Sequence, residues 1–148
     1  MVFVDQNYYL IAYDSGIRHY RVDRMTQISL TKEKRDGTET YGDMDLSVYT
    51  NKVFHMFNGE ERLVRIRFKE HLIGSVVDRF GTEIPIVREG NGWFSTNLDV
   101  VVSPQFYAWL YGFGEEAEIL SPEDVREGMR DMTRKVLDKY DRGTGEET

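Results

Sequence analysis

"RLVRIRFKEHLIGSVVDRFG", Arg62–Gly81, carries two hydrophobic periods back to back. Leu63, Arg65 and Arg67 alternate with Val64, Ile66 and Phe68, the period-two pattern of a strand with one dry face. Then the period changes. Leu72, Ile73, Val76, Val77 and Phe80 form the stripe of an amphipathic helix, and Gly81 supplies its stop. A strand running straight into a helix opens a β-α-β unit.

Toward the C terminus, "EIPIVREG" and "GWFSTNLDVVV" read as strands on either side of an "EGNG" turn. "SPQFYAWLYGFG" starts with a Ser N-cap and Pro at the first helical position, and it ends in glycines. "AEILSP" gives a further strand. "SPEDVREGMRDMTRKVLDKY" repeats the Ser–Pro helix start, with Val125, Met129, Met132, Val136 and Tyr140 at helical spacing. The final "DRGTGEET" is expected to fray. From residue 62 the order is β-α-β-β-α-β plus a last helix. It predicts a ferredoxin-like unit, an antiparallel sheet with both crossover helices on one face.

Toward the N terminus, "FVDQNYYLIAYD" and "IRHYRVDRMTQISL" are β-rich runs joined by turn chemistry at Asp14–Gly16, which predicts a hairpin. Residues 31–59 read as a connector, polar in "TKEKRDGTETYGD" and with a short helical turn in "DLSVYTNKVFHMF". His55 in that stretch is expected to be packed. The division is therefore 1–58 and 59–148.

The 148 residues, 40% hydrophobic and 13% aromatic, suffice for one domain or two small ones sharing a core. Mean hydropathy is −0.53. No apolar run has bilayer length, and no secretory signal opens the chain. There is no cysteine, so disulfides, thiolate metal sites and cysteine nucleophiles are excluded, and a cytoplasmic location is expected. The formal net charge is −7, most of it C-terminal: residues 115–148 hold 6 Lys or Arg against 11 Asp or Glu. Against that background "RHYRVDR", Arg18–Arg24, gathers three arginines and a histidine.

Enzyme chemistry is sparse. The sequence lacks G-x-x-x-x-G-K-[ST], H-E-x-x-H and G-x-S-x-G. "GFG" at Gly112–Gly114 follows a helix, so it reads as a cap rather than a phosphate loop. The three histidines stand apart, with none at a ligand-pair spacing, and the carboxylates nominate no acid–base pair. A non-enzyme needing no metal or organic cofactor is the expectation.

Two stretches carry a family likeness. "YYLIAYD" followed by "IRHYRVDRM" resembles the WYL domain, whose Trp-Tyr-Leu tripeptide stands here as Tyr8-Tyr9-Leu10. In that family an arginine-rich strand follows a turn, and Arg18, Tyr20, Arg21, Val22, Asp23, Arg24 and Met25 are in register with it. The run from Leu63 through Met129 resembles the C-terminal extension that accompanies WYL domains in bacterial transcription regulators. The resemblance implies an α+β chain: part of an SH3/Sm-like β-barrel, then a ferredoxin-like βαββαβ extension with a final helix. It also implies that the chain is a fragment whose N-terminal helix-turn-helix, the element that would contact operator DNA, lies outside it. The function it implies is sensing of a negatively charged effector, single-stranded nucleic acid or a nucleotide, by a homodimer.

On the residues alone, two readings of the arginine cluster stay open. Asp14 and Asp23 can neutralise it on a solvated strand. Alternatively, Arg21 and His19 form an exposed anion-facing pair, joined by Arg24 at the strand end, while Tyr20 and Val22 point to the core. Tyr8 or Tyr9 then offers a stacking surface. The resemblance favours the anion site, with Tyr8, Tyr9, His19, Arg21 and Arg24 as its residues. Two rivals are a dimerisation module with no ligand of its own, through the last helix, and a small-metabolite site lined by Trp93, Tyr107 and Trp109.

Overall fold

The computed structural model describes residues 1–34, 36, 39, 42 and 44–142. Six residues of the polar connector run at 31–43, and the tail from 143, expected to fray, lie outside the described residues. The described residues form two antiparallel sheets, of three and four strands, and four α-helices. Neither sheet closes into a barrel.

The first sheet has the order β1 (Val2–Val4), β2 (Asn7–Tyr13), β3 (Ile17–Arg21). The run that reads as one strand from Phe3 is in fact a hairpin. Val4 pairs with Asn7 across Asp5 and Gln6, whose φ values of 49° and 64° are what a tight two-residue turn requires. The Asp14–Gly16 turn then joins β2 to β3. Register pairs Tyr9 with Arg21 and Leu10 with Tyr20. β3 is shorter than its sequence suggests: it gives way to a 3₁₀ turn at Val22–Arg24, where Asp23 folds back onto Arg21 and leaves Tyr8 and Asn7 of β2 paired with β1 alone.

Helix α1 (Leu46–Lys52) starts at Asp45, whose carboxylate accepts from the Ser47 hydroxyl at 2.6 Å and from the Ser47 and Val48 amides, and is held below the usual carboxylate range by these bonds. The second unit follows as β4 (Glu60–Lys69), α2 (Ile73–Phe80), β5 (Ile86–Gly90), β6 (Trp93–Val102), α3 (Pro104–Tyr111), β7 (Ala117–Ser121) and α4 (Glu123–Asp141). The sheet order β5-β6-β4-β7, antiparallel throughout, is the ferredoxin-like arrangement that the element order predicts. Ser103 caps α3 by accepting from the Phe106 amide at 3.2 Å. Ser121 does not cap α4; it ends β7 instead. The first turn of α4 is held by Arg62, which grips Asp124 at 2.8 and 3.0 Å.

All the crossover helices cover one face. Val64, Ile66 and Phe68 of β4 and Phe94, Leu98 and Val100 of β6 meet Val76, Phe106, Leu110 and Val125 there. Phe54, from the connector, completes this core. Its ring lies 5.5 Å from Phe106, 5.2 Å from Trp109 and 6.4 Å from Phe80. The Arg79 guanidinium stacks 3.8 Å above Phe54 and donates to the Val53 carbonyl. The opposite face of the four-stranded sheet is open except at one end, where Val101, with Val53 and Met56, receives Val2, Val4, Tyr9 and Ile11 of the first sheet.

Between Met56 and β4 the chain passes so close to β6 that a β-carbon at Gly59 would stand 2.0 Å from the Val102 carbonyl oxygen. Gly59→Ala is therefore expected to cost about 1–3 kcal/mol, as overpacking does, and to lower the thermal midpoint. Phe54→Ala is expected to cost about 3–5 kcal/mol. Thermal and urea unfolding of the two variants checks both, and an unchanged Gly59→Ala midpoint would contradict the close approach.

Candidate anion-binding cleft

A cleft of about 570 Å³ opens where the first sheet meets the connector, lined by Tyr9, His19, Tyr20, Arg21, Arg24 and Met25 on one side and His55–Asn58 on the other. It therefore brings together four of the five residues expected from the sequence. The fifth is elsewhere: Tyr8 alternates to the outer face of the sheet, where its ring lies 4.8 Å from that of Phe3.

The strand faces are also exchanged relative to expectation. His19 points inward, half-buried, and shares a 2.9 Å hydrogen bond with the Tyr49 hydroxyl of α1. Tyr20 points outward and is 41% exposed. The cause is the packing of the sheet: Ile11 is paired with His19, and Ile11 is the side chain that the Val53–Met56–Val101 cluster takes in.

The arginines differ in their freedom. Arg21 is bound on two sides: it donates to both carboxylate oxygens of Asp23, at 3.0 and 2.7 Å, and to Asn7 Oδ1 at 2.7 Å. This pairing raises the Arg21 pKa and lowers that of Asp23. Arg24 sits on the 3₁₀ turn, exposed, with no carboxylate within ion-pair distance among the described residues. It still adds to the positive field that holds Asp23 ionised.

The connector supplies what the hairpin lacks. His55 is exposed rather than packed, its Nδ1 2.7 Å from an Asp5 carboxylate oxygen. His55 and Met56 have φ values of 49° and 57°, a left-handed pair that turns the chain back toward β4. Phe57 leaves its ring 46% exposed at the cleft wall. Nothing in the hydrophobic periodicity marks these residues, since the segment has no period. Among the described residues, no three His, Asp or Glu side chains converge as metal ligands would.

The alternative small-molecule site is not assembled. Trp109 is in the core among Phe54, Phe68, Phe80 and Phe113. Trp93 follows the strand alternation to the opposite face from Phe94 and lies under Arg67 and Lys69. The two indoles have the sheet between them.

Residues 60–137, more than half of the chain, match the WCX domain family. The chain belongs to that family. The WCX domain is the C-terminal extension that accompanies WYL domains, so the likeness of the second half stands as the sequence suggests. Among solved structures, proteasome accessory factor B/C (PafBC) of Arthrobacter aurescens is similar, with 21% sequence identity and a TM-score of 0.47, over 93% of this chain and 21% of that one. The chain thus spans about a fifth of the length of that relative. No curated protein matches it. Family membership marks residues 60–137 as a WCX domain, and no helix among the described residues is long and apolar enough to cross a membrane.

Burial lowers the pKa of His19, a shift that the Met56 backbone opposes only in part, and His19 Nδ1 is buried without a hydrogen bond of good geometry. Folding therefore favours the neutral ring. The stability it contributes is complete above the ordinary histidine pKa and is lost as pH falls through the lowered folded-state value. Urea unfolding should show a loss of stability on acidification below the ordinary histidine range, reduced in His19→Gln. A profile identical in the two proteins would refute this role.

Proposed function

We propose that the chain is the effector-sensing region of a transcription regulator and that the cleft binds a negatively charged effector, single-stranded nucleic acid or a nucleotide. The observation that carries this reading is Arg24: an arginine with no carboxylate partner among the described residues, at the lip of an open cleft whose walls expose Tyr20 and Phe57. A guanidinium binds phosphate through two parallel N–H bonds, and an exposed ring stacks on any base. Arg21 is the second cation. Its Asp23 partner is exposed, so a phosphate can compete for the same donors without desolvating a buried pair. The family likeness supports the same chemistry. In this reading residues 1–58 and 59–148 are the two functional parts, and a DNA-reading domain elsewhere in the regulator contacts the operator.

Association of two copies is a second part of the proposal. Along α4, Met129 and Met132 are half-buried, whereas Val136, Leu137 and Tyr140 are exposed beyond the edge of the sheet, Tyr140 at 83%. An apolar stripe that overhangs its own core suits a homodimer contact.

Fluorescence anisotropy with a labelled single-stranded oligonucleotide tests the effector reading. Affinity should fall steeply with salt, by a slope set by the number of phosphates neutralised. Arg24→Ala should weaken binding and reduce that slope by about one, and Arg21→Ala/Arg24→Ala should abolish most of it. Binding that ignores salt, or a double variant that binds like the parent, would overturn the assignment. Sedimentation of Leu137→Glu/Tyr140→Glu tests the dimer: a shift from dimer to monomer is expected, and a parent that sediments as a monomer would refute it.

A further inference from the structure

The uncovered face of the four-stranded sheet carries one feature that the cleft does not use. Along β4, Arg65, Arg67 and Lys69 share that face, opposite Asn97, Ser95 and Trp93 of β6. Trp93 is half-exposed, with the Lys69 ammonium 4.3 Å and the Arg67 guanidinium 4.8 Å from its ring centre. Arg65 donates to Glu89 at 2.9 Å and to the Ser95 hydroxyl at 3.2 Å, and Arg67 donates to Glu118 at 2.8 Å. Lys69 has no ion pair among the described residues. Helices α2, α3 and α4 all bury their apolar residues on the other face, and α1 reaches this one only at its near end, where Lys52 meets Glu61 at 2.5 Å and Asp99 at 3.8 Å.

We propose that this face is a second contact surface for single-stranded nucleic acid, in which a base stacks on Trp93 while Lys69, Arg67 and Arg65 hold the adjoining phosphates. The inference rests on the cleft reading above, because it extends the same ligand. Three observations carry it. An indole on a central strand of an open four-stranded sheet, among cations, is the arrangement that stacks bases in single-strand binders. The cations lie over the ring in the free protein, and a base that takes their place on it leaves them next to its own phosphates. And the surface adjoins the cleft along the chain: Phe57 and Asn58 line the cleft and lead through Gly59 into β4, where Lys52 neutralises the Glu61 and Asp99 carboxylates that stand between the cleft and Arg65. From Val101 to Trp93 the strand runs on the order of 27 Å, a span matched to a site of about 4–16 nucleotides. The Glu89 and Glu118 carboxylates neutralise Arg65 and Arg67 in the free protein. Both pairs are partly exposed, so phosphates can displace them.

The test is anisotropy of the full 148-residue chain with labelled oligothymidylates of about 4 and about 15 nucleotides, bracketing the site size. Trp93→Ala and Lys69→Gln are compared with Arg24→Ala. The parent should bind the longer oligomer more tightly. Trp93→Ala should weaken the longer one about tenfold and leave the shorter unchanged. Lys69→Gln should lower the salt slope for the longer one by about one. If both variants bind both lengths like the parent while Arg24→Ala loses them, the sheet surface is refuted and the cleft reading stands. If Arg24→Ala is without effect while Trp93→Ala and Lys69→Gln weaken the longer oligomer, the cleft reading fails and the sheet surface is the site. No binding of either length by the parent refutes both. Lys69→Gln replaces a half-exposed side chain outside the core, so it decides the matter should Trp93→Ala unfold.

Discussion

The aromatic cluster around Phe54 fixes everything else in this molecule. Phe54 comes from the connector, yet it is 1% exposed and lies between α2, through Phe80, and α3, through Phe106 and Trp109. Arg79 closes it from above, in a setting desolvated enough to lower the guanidinium pKa. By burying one ring in the second unit, the chain locks the segment on either side of that ring. Val53 and Met56 then present the small apolar pad on which the first sheet sits. Large aromatic side chains dominate such cores because each removes so much apolar surface from water. The cleft exists because this anchor holds the His55–Asn58 wall opposite the arginine strand.

The fold was legible in the sequence wherever a hydrophobic period was sustained. β4 and α2 show clean periods of two and 3.6, and the resulting β-α-β-β-α-β order has one natural antiparallel solution, which the sheet adopts. The connector was not legible, for the complementary reason. "VFHMF" has no period, and its left-handed His55–Met56 pair is set by packing rather than by glycine. The same limit explains the exchange of faces on β3. Alternation states that His19 and Tyr20 point opposite ways, but which one turns inward depends on the pad beneath Ile11, and that pad is built from residues 53, 56 and 101.

The candidate site was legible in its cations and not in its aromatics. Charge clustered in Arg18–Arg24 stands out against an acidic chain, and Arg21 and Arg24 do line the cleft. The ring surfaces came out differently. Tyr8 turns away with Phe3, and the exposed ring from the far wall is Phe57, contributed by a stretch almost forty residues downstream of β3. Cross-chain neighbours of this kind follow from tertiary packing alone. The two aspects of the arginine cluster coexist: Arg21 is neutralised by Asp23, as on an ordinary solvated strand, and Arg24, three residues on, has no ion-pair partner among the described residues.

Gly59 sits where the cleft wall becomes β4, wedged against the Val102 carbonyl with no space for even one methyl group. The spacing between the cleft wall and the sheet is therefore set by main chain lying directly on main chain, and a side chain of any size at this joint would force the two apart.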